Sequence, residues 1–321
     1  MTPSIDTASE REAVSRKVGR NRHSYRRRSR VHSRVFPFLL VAPTLLLFFA
    51  VVAYPFAQSL LYGLFDESLL DTGGARFTGF ENIASLLSSS HFWSVVQNTV
   101  VFVAGSTLGA FAIALAAALA LNTGIRARTA WRSALLVPWF LPGVVVAFLW
   151  RWIFDANYGL ANGVLDWIGI DSVNWLDSPS FAMIAVIIGK IWHSFPWMML
   201  LILAALQGVP AEVYDAAAID GASGWKQQVY VVLPQIRPAI ALTLLLETIW
   251  GLQHFELPYV MTGGGPVGAT TTLSVDLYQS AFHKFDLGQA GAIGILWTAL
   301  MAGVVAIYLF YSARQEREAQ K

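Results

Sequence analysis

Pro210-Ala211-Glu212-Val213-Tyr214-Asp215-Ala216-Ala217-Ala218-Ile219-Asp220-Gly221-Ala222 lies between two apolar runs, Phe181–Leu206 and Ala239–Met261. Each run is long enough to cross a bilayer as a helix. The stretch between them is too polar to span and too regular to be a plain linker. Pro210 suits the first turn of a helix, where its missing N–H costs nothing. Glu212 and Asp215 follow, near a helix N-terminus whose dipole favours carboxylates. Ala216, Ala217 and Ala218 combine high helix propensity with a smooth surface that another protein can approach closely. Gly221 permits a break. Beyond it Trp225, Val229, Val232, Leu233 and Ile236 recur at three- and four-residue spacing, a second helical stripe. Pro234 and Pro238 lead into the next apolar run. Residues 207–238 therefore read as two short helices around a glycine elbow. Such a pair is either a docking element or an interfacial cap on a bundle.

Outward from this loop, six runs are long and apolar enough to span: 35–61, 99–121, 133–154, 181–206, 239–261 and 289–311. Of the 321 residues 55% are hydrophobic and 13% charged. A soluble domain carries roughly 25% charged residues, so lipid is the main solvent. The chain has no cysteine, which excludes disulfides, thiolate metal sites and cysteine nucleophiles.

Charge sets the expected orientation. Residues 1–34 carry ten basic side chains, from Arg11 to Arg34, against Asp6, Glu10 and Glu12. This tail directly precedes an apolar run, so it reads as a cytoplasmic anchor against anionic lipid rather than a nucleic-acid arm. No small-residue cleavage site follows the run, which argues against a removable signal peptide. With the N-terminus inside, Arg126, Arg128, Arg132, Lys226, Arg237, Arg314, Arg317 and Lys321 fall inside too. Asp66, Glu67, Asp71, Glu81, Asp155, Asp166, Asp171, Asp177, Asp276 and Asp286 fall outside, with Arg76, Arg151 and Lys284. Both termini, including a short tail at 312–321, are then cytoplasmic.

The expected organisation is an outer loop at 62–94, a core at 95–311 and three loops of distinct character. A weakly amphipathic stretch near Phe80–Val96 is expected on the surface. Asp155–Ser180 reads as irregular. Thr262-Gly263-Gly264-Gly265-Pro266 reads as a helix-terminating turn. Pro142 and Pro196 fall inside expected spans, and each removes a helix hydrogen bond. No internal repeat is evident, which weakens an inverted-repeat transporter.

There is no GxxxxGK[ST] sequence, no HExxH and no GxSxG, so neither nucleotide hydrolysis nor these catalytic centres is expected in this chain. Charged groups in a bilayer core are costly and face a bundle interior or a watery path. In the fifth run Glu247, Trp250, Gly251, His254 and Pro258 share one helical face, with Gln253 and Glu256 to its sides. Carboxylates and amides suit sugar hydroxyls, and aromatic rings suit the apolar faces of sugars. Trp139, Phe140 and Trp150 of the third run could supply further rings. The same aromatic residues serve equally well as packing or interface anchors. Lys190 in the fourth run either snorkels or pairs with an acid.

Asp215-Ala216-Ala217-Ala218-Ile219-Asp220-Gly221-Ala222, with Leu233-Pro234 and Pro238 downstream, resembles the signature loop of binding-protein-dependent ABC permeases. Two positions depart from the usual pattern: Asp215 stands for Glu, and Gln228 for a large apolar residue. Trp150-Arg151-Trp152-Ile153-Phe154, Trp192-His193-Ser194-Phe195-Pro196 and Phe255-Glu256-Leu257-Pro258 through Thr262-Gly263-Gly264-Gly265-Pro266 are similar to sugar-importing members of the maltose and glycerol-3-phosphate type. The resemblance implies an all-α membrane protein, a six-helix type-1 importer permease bundle. It implies a second permease subunit, two ATPase subunits that use ATP and Mg, and an extracytoplasmic solute-binding protein. It implies ATPase coupling through Glu212, Asp215, Ala216, Ala217, Asp220, Gly221, Ala222, Leu233 and Pro234. A glycerophosphodiester or another polar solute is the alternative cargo. An ion-coupled secondary transporter, relayed by Glu247 and His254, is the alternative class.

Overall fold

The computed structural model describes residues 40–70, 74–123 and 126–319, with side chains as far as residue 314. The basic tail 1–34, residues 35–39 of the first expected span, Asp71 and the side chains of Arg317 and Lys321 lie outside the described residues. The chain divides into two compact units, residues 1–59 and 60–321. In the first unit the described residues form most of an apolar helix, α1 (Leu40–Tyr62), on which Leu46, Leu47 and Phe49 are exposed.

The second unit is built from helices, with one two-residue ribbon, β1 (Phe65–Asp66) against β2 (Arg76–Phe77). The helices run α2 (Glu81–Ser88), α3 (Ser90–Asn122), α4 (Arg128–Phe140), α5 (Gly143–Ile153), α6 (Leu160–Trp167) and α7 (Pro179–Gln207). Then follow α8 (Ala211–Ile219), α9 (Trp225–Gln235), α10 (Arg237–Leu252), α11 (Glu256–Thr262), α12 (Leu273–Phe282) and α13 (Leu287–Ala319). Among the described residues four helices are long and apolar enough to cross a membrane, and six spans result if the bent pairs α4–α5 (95°) and α9–α10 (72°) each count as one.

The longest helix contact joins α3 and α7. Gly105 and Gly109, one small-xxx-small step apart on α3, face Ile187 and Ile191 of α7. Small residues at that spacing let two backbones approach closely where lipid supplies no hydrophobic drive. A Cβ at Gly109 would collide with the Ile191 side chain. Gly109→Leu is therefore expected to destabilise the bundle by roughly 1–3 kcal/mol, the usual cost of overpacking. The midpoint of thermal unfolding in detergent checks this. Leu108→Phe, at a neighbouring exposed position, is expected to leave the midpoint unchanged.

Two of the expected spans are not single straight helices. The third, 133–154, is split into α4 and α5, which meet at 95° across Leu141 and Pro142. Leu141 is extended (φ −79°, ψ 137°), as a residue before proline prefers, and Pro142 caps α5 without an N–H of its own. Pro138 and Pro196, by contrast, lie within α4 and α7, which continue through them. The fifth expected span, 239–261, is interrupted at Gln253–Phe255 between α10 and α11. Pro258 has no N–H to give the carbonyl of His254, four residues back. Ser274 Oγ of α12 supplies that hydrogen bond at 2.9 Å, so the break is held by a neighbour.

The loops carry more structure than their composition suggests. Ser90–Val96, expected on the surface, begins α3, and Phe92 and Val95 are buried against Leu273 and Ile293. The segment 155–180, expected to be irregular, contains α6. There the Asn162 side chain accepts from the Val173 N–H and Trp175 Nε1 and donates to two carbonyls. One buried amide thus closes the loop on itself.

Candidate functional site

α7 and α10 face each other with charged and aromatic groups. Lys190, His193 and Trp197 recur at i, i+3 and i+7 on α7, which places them along one face. Glu247 of α10, fully buried, meets Lys190 and Trp197. Lys190 Nζ lies 3.0 Å from Glu247 Oε1, and both side chains are at most 5% exposed. Among the described residues Oε1 accepts no hydrogen bond, so this contact is held by charge. Trp197 Nε1 donates to Oε2 at 2.9 Å. The Trp197 ring packs on Trp250 with centroids 4.7 Å apart, and Trp250 keeps 45% of its surface exposed. A buried carboxylate is thus neutralised by a lysine and oriented by an indole, with a second indole open to one side.

The break between α10 and α11 extends this polar seam. His254 is removed from the helical face shared by Glu247 and Trp250, because α10 ends at Leu252. Its ring lies over Phe102 at 6.1 Å and 6.3 Å from the His193 ring. Its Nδ1 is 3.6 Å from Glu256 Oε2, and its Nε2 is buried without a hydrogen bond. His193 Nε2 is 3.3 Å from the carbonyl of Leu141, at the bend between α4 and α5. Both breaks therefore point at one region.

Other expected residues fall further out. Trp150 sits between Phe154 and Trp192 against Gly189, its Nε1 buried and unpartnered. Trp139 packs on Phe140 beyond the α4–α5 bend and is 42% exposed, so it does not join Trp150. Gln253 is exposed and contacts Met301 Sδ at 3.5 Å. The Glu256 side chain is 43% exposed. The sequence alone pairs neither Trp197 with Glu247 nor His193 with His254. The spacing of Trp197 and His193 from Lys190 was the available signal.

At the C-terminal ends of α5 and α11 lies a cavity of about 770 Å³, lined by Arg151, Asp155, Asp177, Tyr259, Gln279 and His283 among others. The N–H of Asn157 holds the Asp155 carboxyl below the usual carboxylate range. Among the described residues no three His, Asp or Glu side chains group as a metal site.

The residues expected to couple to an ATPase form an exposed surface on a buried root. α8 begins after Pro210 and stops at Asp220, and Gly221 (φ +80°) and Gly224 (φ +52°) make the turn into α9. Left-handed backbone of this kind favours glycine. Glu212, Asp215, Ala216, Asp220 and Gly221 are exposed, and Ile219 reaches 87% exposure. Ala222, Leu233 and Pro234 are half-buried, and Ala217 is buried. Val232 and Ile236 of the second stripe enter the core with Leu121, Ile202 and Leu206. Gln227 Nε2 donates to the Tyr214 carbonyl at 2.7 Å, tying the two short helices together. Gln228 is half-buried, with its Oε1 buried and unpartnered.

Up to six spans among the described residues, a charged interior seam and a surface-exposed helical elbow define a polytopic membrane component. The chain belongs to the family of binding-protein-dependent transport system inner membrane components, which matches residues 110–317. A sulfoquinovosyl glycerol transport system permease of Agrobacterium fabrum is 36% identical over 276 residues, covering 86% of this chain and 90% of that one. A trehalose/maltose permease of Thermococcus litoralis is 38% identical over 236 residues, covering 73% and 79%. A solved bacterial alginate ABC transporter, in complex with an alginate pentasaccharide-bound periplasmic protein, contains a chain of the same fold. It has a TM-score of 0.78 at 23% identity and covers 90% of this chain and 98% of that one.

Proposed function

We propose that this chain is one permease subunit of an ATP-driven importer that takes a sugar or oligosaccharide from an extracytoplasmic binding protein. The observation that carries the reading is family membership over residues 110–317 together with relatives that are sugar permeases. The exposed elbow of α8 and α9 supports a docking role, since its outer face is free while Val232 and Ile236 are fixed in the core. In this reading two ATPase subunits bind beneath the bundle and hydrolyse ATP with Mg. Closure of the ATPase pair moves α8 and α9. The buried root passes that movement to α3 and α7, and the interior seam opens alternately to each side. A second, similar permease completes the path. No covalent chemistry falls to this chain.

Within the seam we assign Glu247, Trp250, His254 and Glu256 to the substrate path, with Trp150, Gln253 and the more distant Trp139 as outlying candidates. Trp250 is the best placed, being half-exposed beside a fixed indole. Trp250→Ala is expected to lower uptake about tenfold, the effect of losing one well-made aromatic contact, without loss of assembly. Uptake of labelled trehalose or maltose by reconstituted transporter, with binding protein outside and ATP within, measures both the reading and this residue. Uptake without ATP would overturn the reading. Unchanged uptake by the variant would remove Trp250 from the path.

The charge asymmetry of the loops supports cytoplasmic termini. A protease-sensitive tag at the N-terminus is expected to resist protease added to intact cells from which any outer barrier has been removed. Cleavage there would reverse the topology.

A further inference from the structure

Three helix ends meet where the elbow leaves the bundle. α3 ends at Asn122, α4 starts at Arg128 and α7 ends at Gln207. These ends also close the apolar runs, so they stand at the level of lipid headgroups. Arg128 and Arg132 lie one turn apart on α4, on the same face. With its amide oxygen turned toward them, Gln207 accepts from Arg132 Nη2 at 3.1 Å and also from Arg128 Nη2. Among the described residues the Nε of each guanidinium is buried and unpartnered. Among the described residues neither arginine forms an ion pair with an acid.

Two cations alone are disfavoured here for three separate reasons. They repel one another. They occupy the first turns of a helix with no acid in its first turn, where the dipole repels positive charge. Each also leaves a buried donor unsatisfied. One oxyanion relieves the first two. Phosphate fits best, because its oxygens accept in pairs from the planar edge of a guanidinium. Trp131, between the two arginines, is 57% exposed, and indoles favour the headgroup level.

We propose that Arg128 and Arg132, flanked by Gln207 and Trp131, bind the phosphate of an anionic phospholipid beside the root of the elbow. Free inorganic phosphate shares the chemistry. The exposed indole and the position at the ends of three helices favour the lipid.

The test uses the full chain, purified with its companion subunits and placed in phosphatidylcholine nanodiscs that contain a little photoreactive phosphatidylglycerol. The expected result is a lipid adduct on the segment 126–136, found by peptide mass spectrometry of the unmodified protein. Arg128→Gln/Arg132→Gln is expected to lower that adduct at least about tenfold, as the loss of charge-assisted hydrogen bonds predicts. The double lysine variant, which keeps charge but not the bidentate edge, is expected to fall between. No adduct on this segment in the unmodified protein overturns the proposal. So does equal labelling by photoreactive phosphatidylcholine. Displacement by millimolar inorganic phosphate would assign the site to the free ion instead. Labelling that appears after the companion subunits are stripped, and not before, would assign the arginines to a partner's carboxylate.

Discussion

Lys190→Met is expected to cost the bundle roughly 3–5 kcal/mol, because it strands a buried carboxylate without its counter-ion. Glu247 is fully buried, and the lysine 3.0 Å away is the sole cation paired with it among the described residues. Trp197 Nε1 still donates to Oε2 in the variant, but one neutral hydrogen bond does not replace a charge. The yield of assembled transporter, and its unfolding midpoint in detergent, are expected to fall sharply. The double variant Lys190→Met/Glu247→Gln removes both charges and keeps an acceptor for Trp197. It is expected to regain most of the stability, since replacing a whole buried pair is often near neutral. The non-additivity of this double-mutant cycle is the measured quantity. Uptake then separates two roles. If the pair lies on the substrate path, the double variant assembles and transports poorly. If the pair is purely structural, stability and uptake return together.

Asp220→Lys is expected to detach the ATPase while leaving the membrane bundle folded. Asp220 is exposed at the end of α8, next to the Gly221 turn and the protruding Ile219. An exposed substitution seldom moves stability by more than about 0.5 kcal/mol. A charge reversal in the centre of an interface, however, costs about 2 kcal/mol or more, which is some thirtyfold in affinity. Co-purification of the ATPase with the tagged chain reports the loss, and the elution volume of the chain reports its fold. Normal recovery of the ATPase with Asp220→Lys would remove this surface from the coupling interface.

Much of this arrangement is legible in the sequence because it depends on local pattern. The apolar runs follow from the length of a bilayer. The elbow follows from Pro210, the alanine run and Gly221, and it is built from α8 and α9. The two interrupted spans show where pattern runs out. The face joining Glu247 to Pro258 assumes a continuous helix, yet Pro258 frees the His254 carbonyl and α12 takes it over through Ser274. That partner lies twenty residues away in sequence, outside any helical period. Pro142 signals a kink, but its 95° size depends on how α5 packs against α11. Lys190 and Glu247 were each visible as charges in apolar runs. Their pairing is a property of the α7–α10 contact, which no single-helix period contains. Trp139 illustrates the reverse error, since sharing a run with Trp150 does not bring two rings together across a bend.

The most direct test of the importer reading is to purify the tagged chain from native membranes in mild detergent and identify its companions by mass spectrometry. The reading predicts an ATPase subunit and a second permease in stable proportion, with the ATPase lost or reduced and the second permease retained under Asp220→Lys. A chain that purifies alone, and that transports in vesicles with an ion gradient and no ATP, would contradict it.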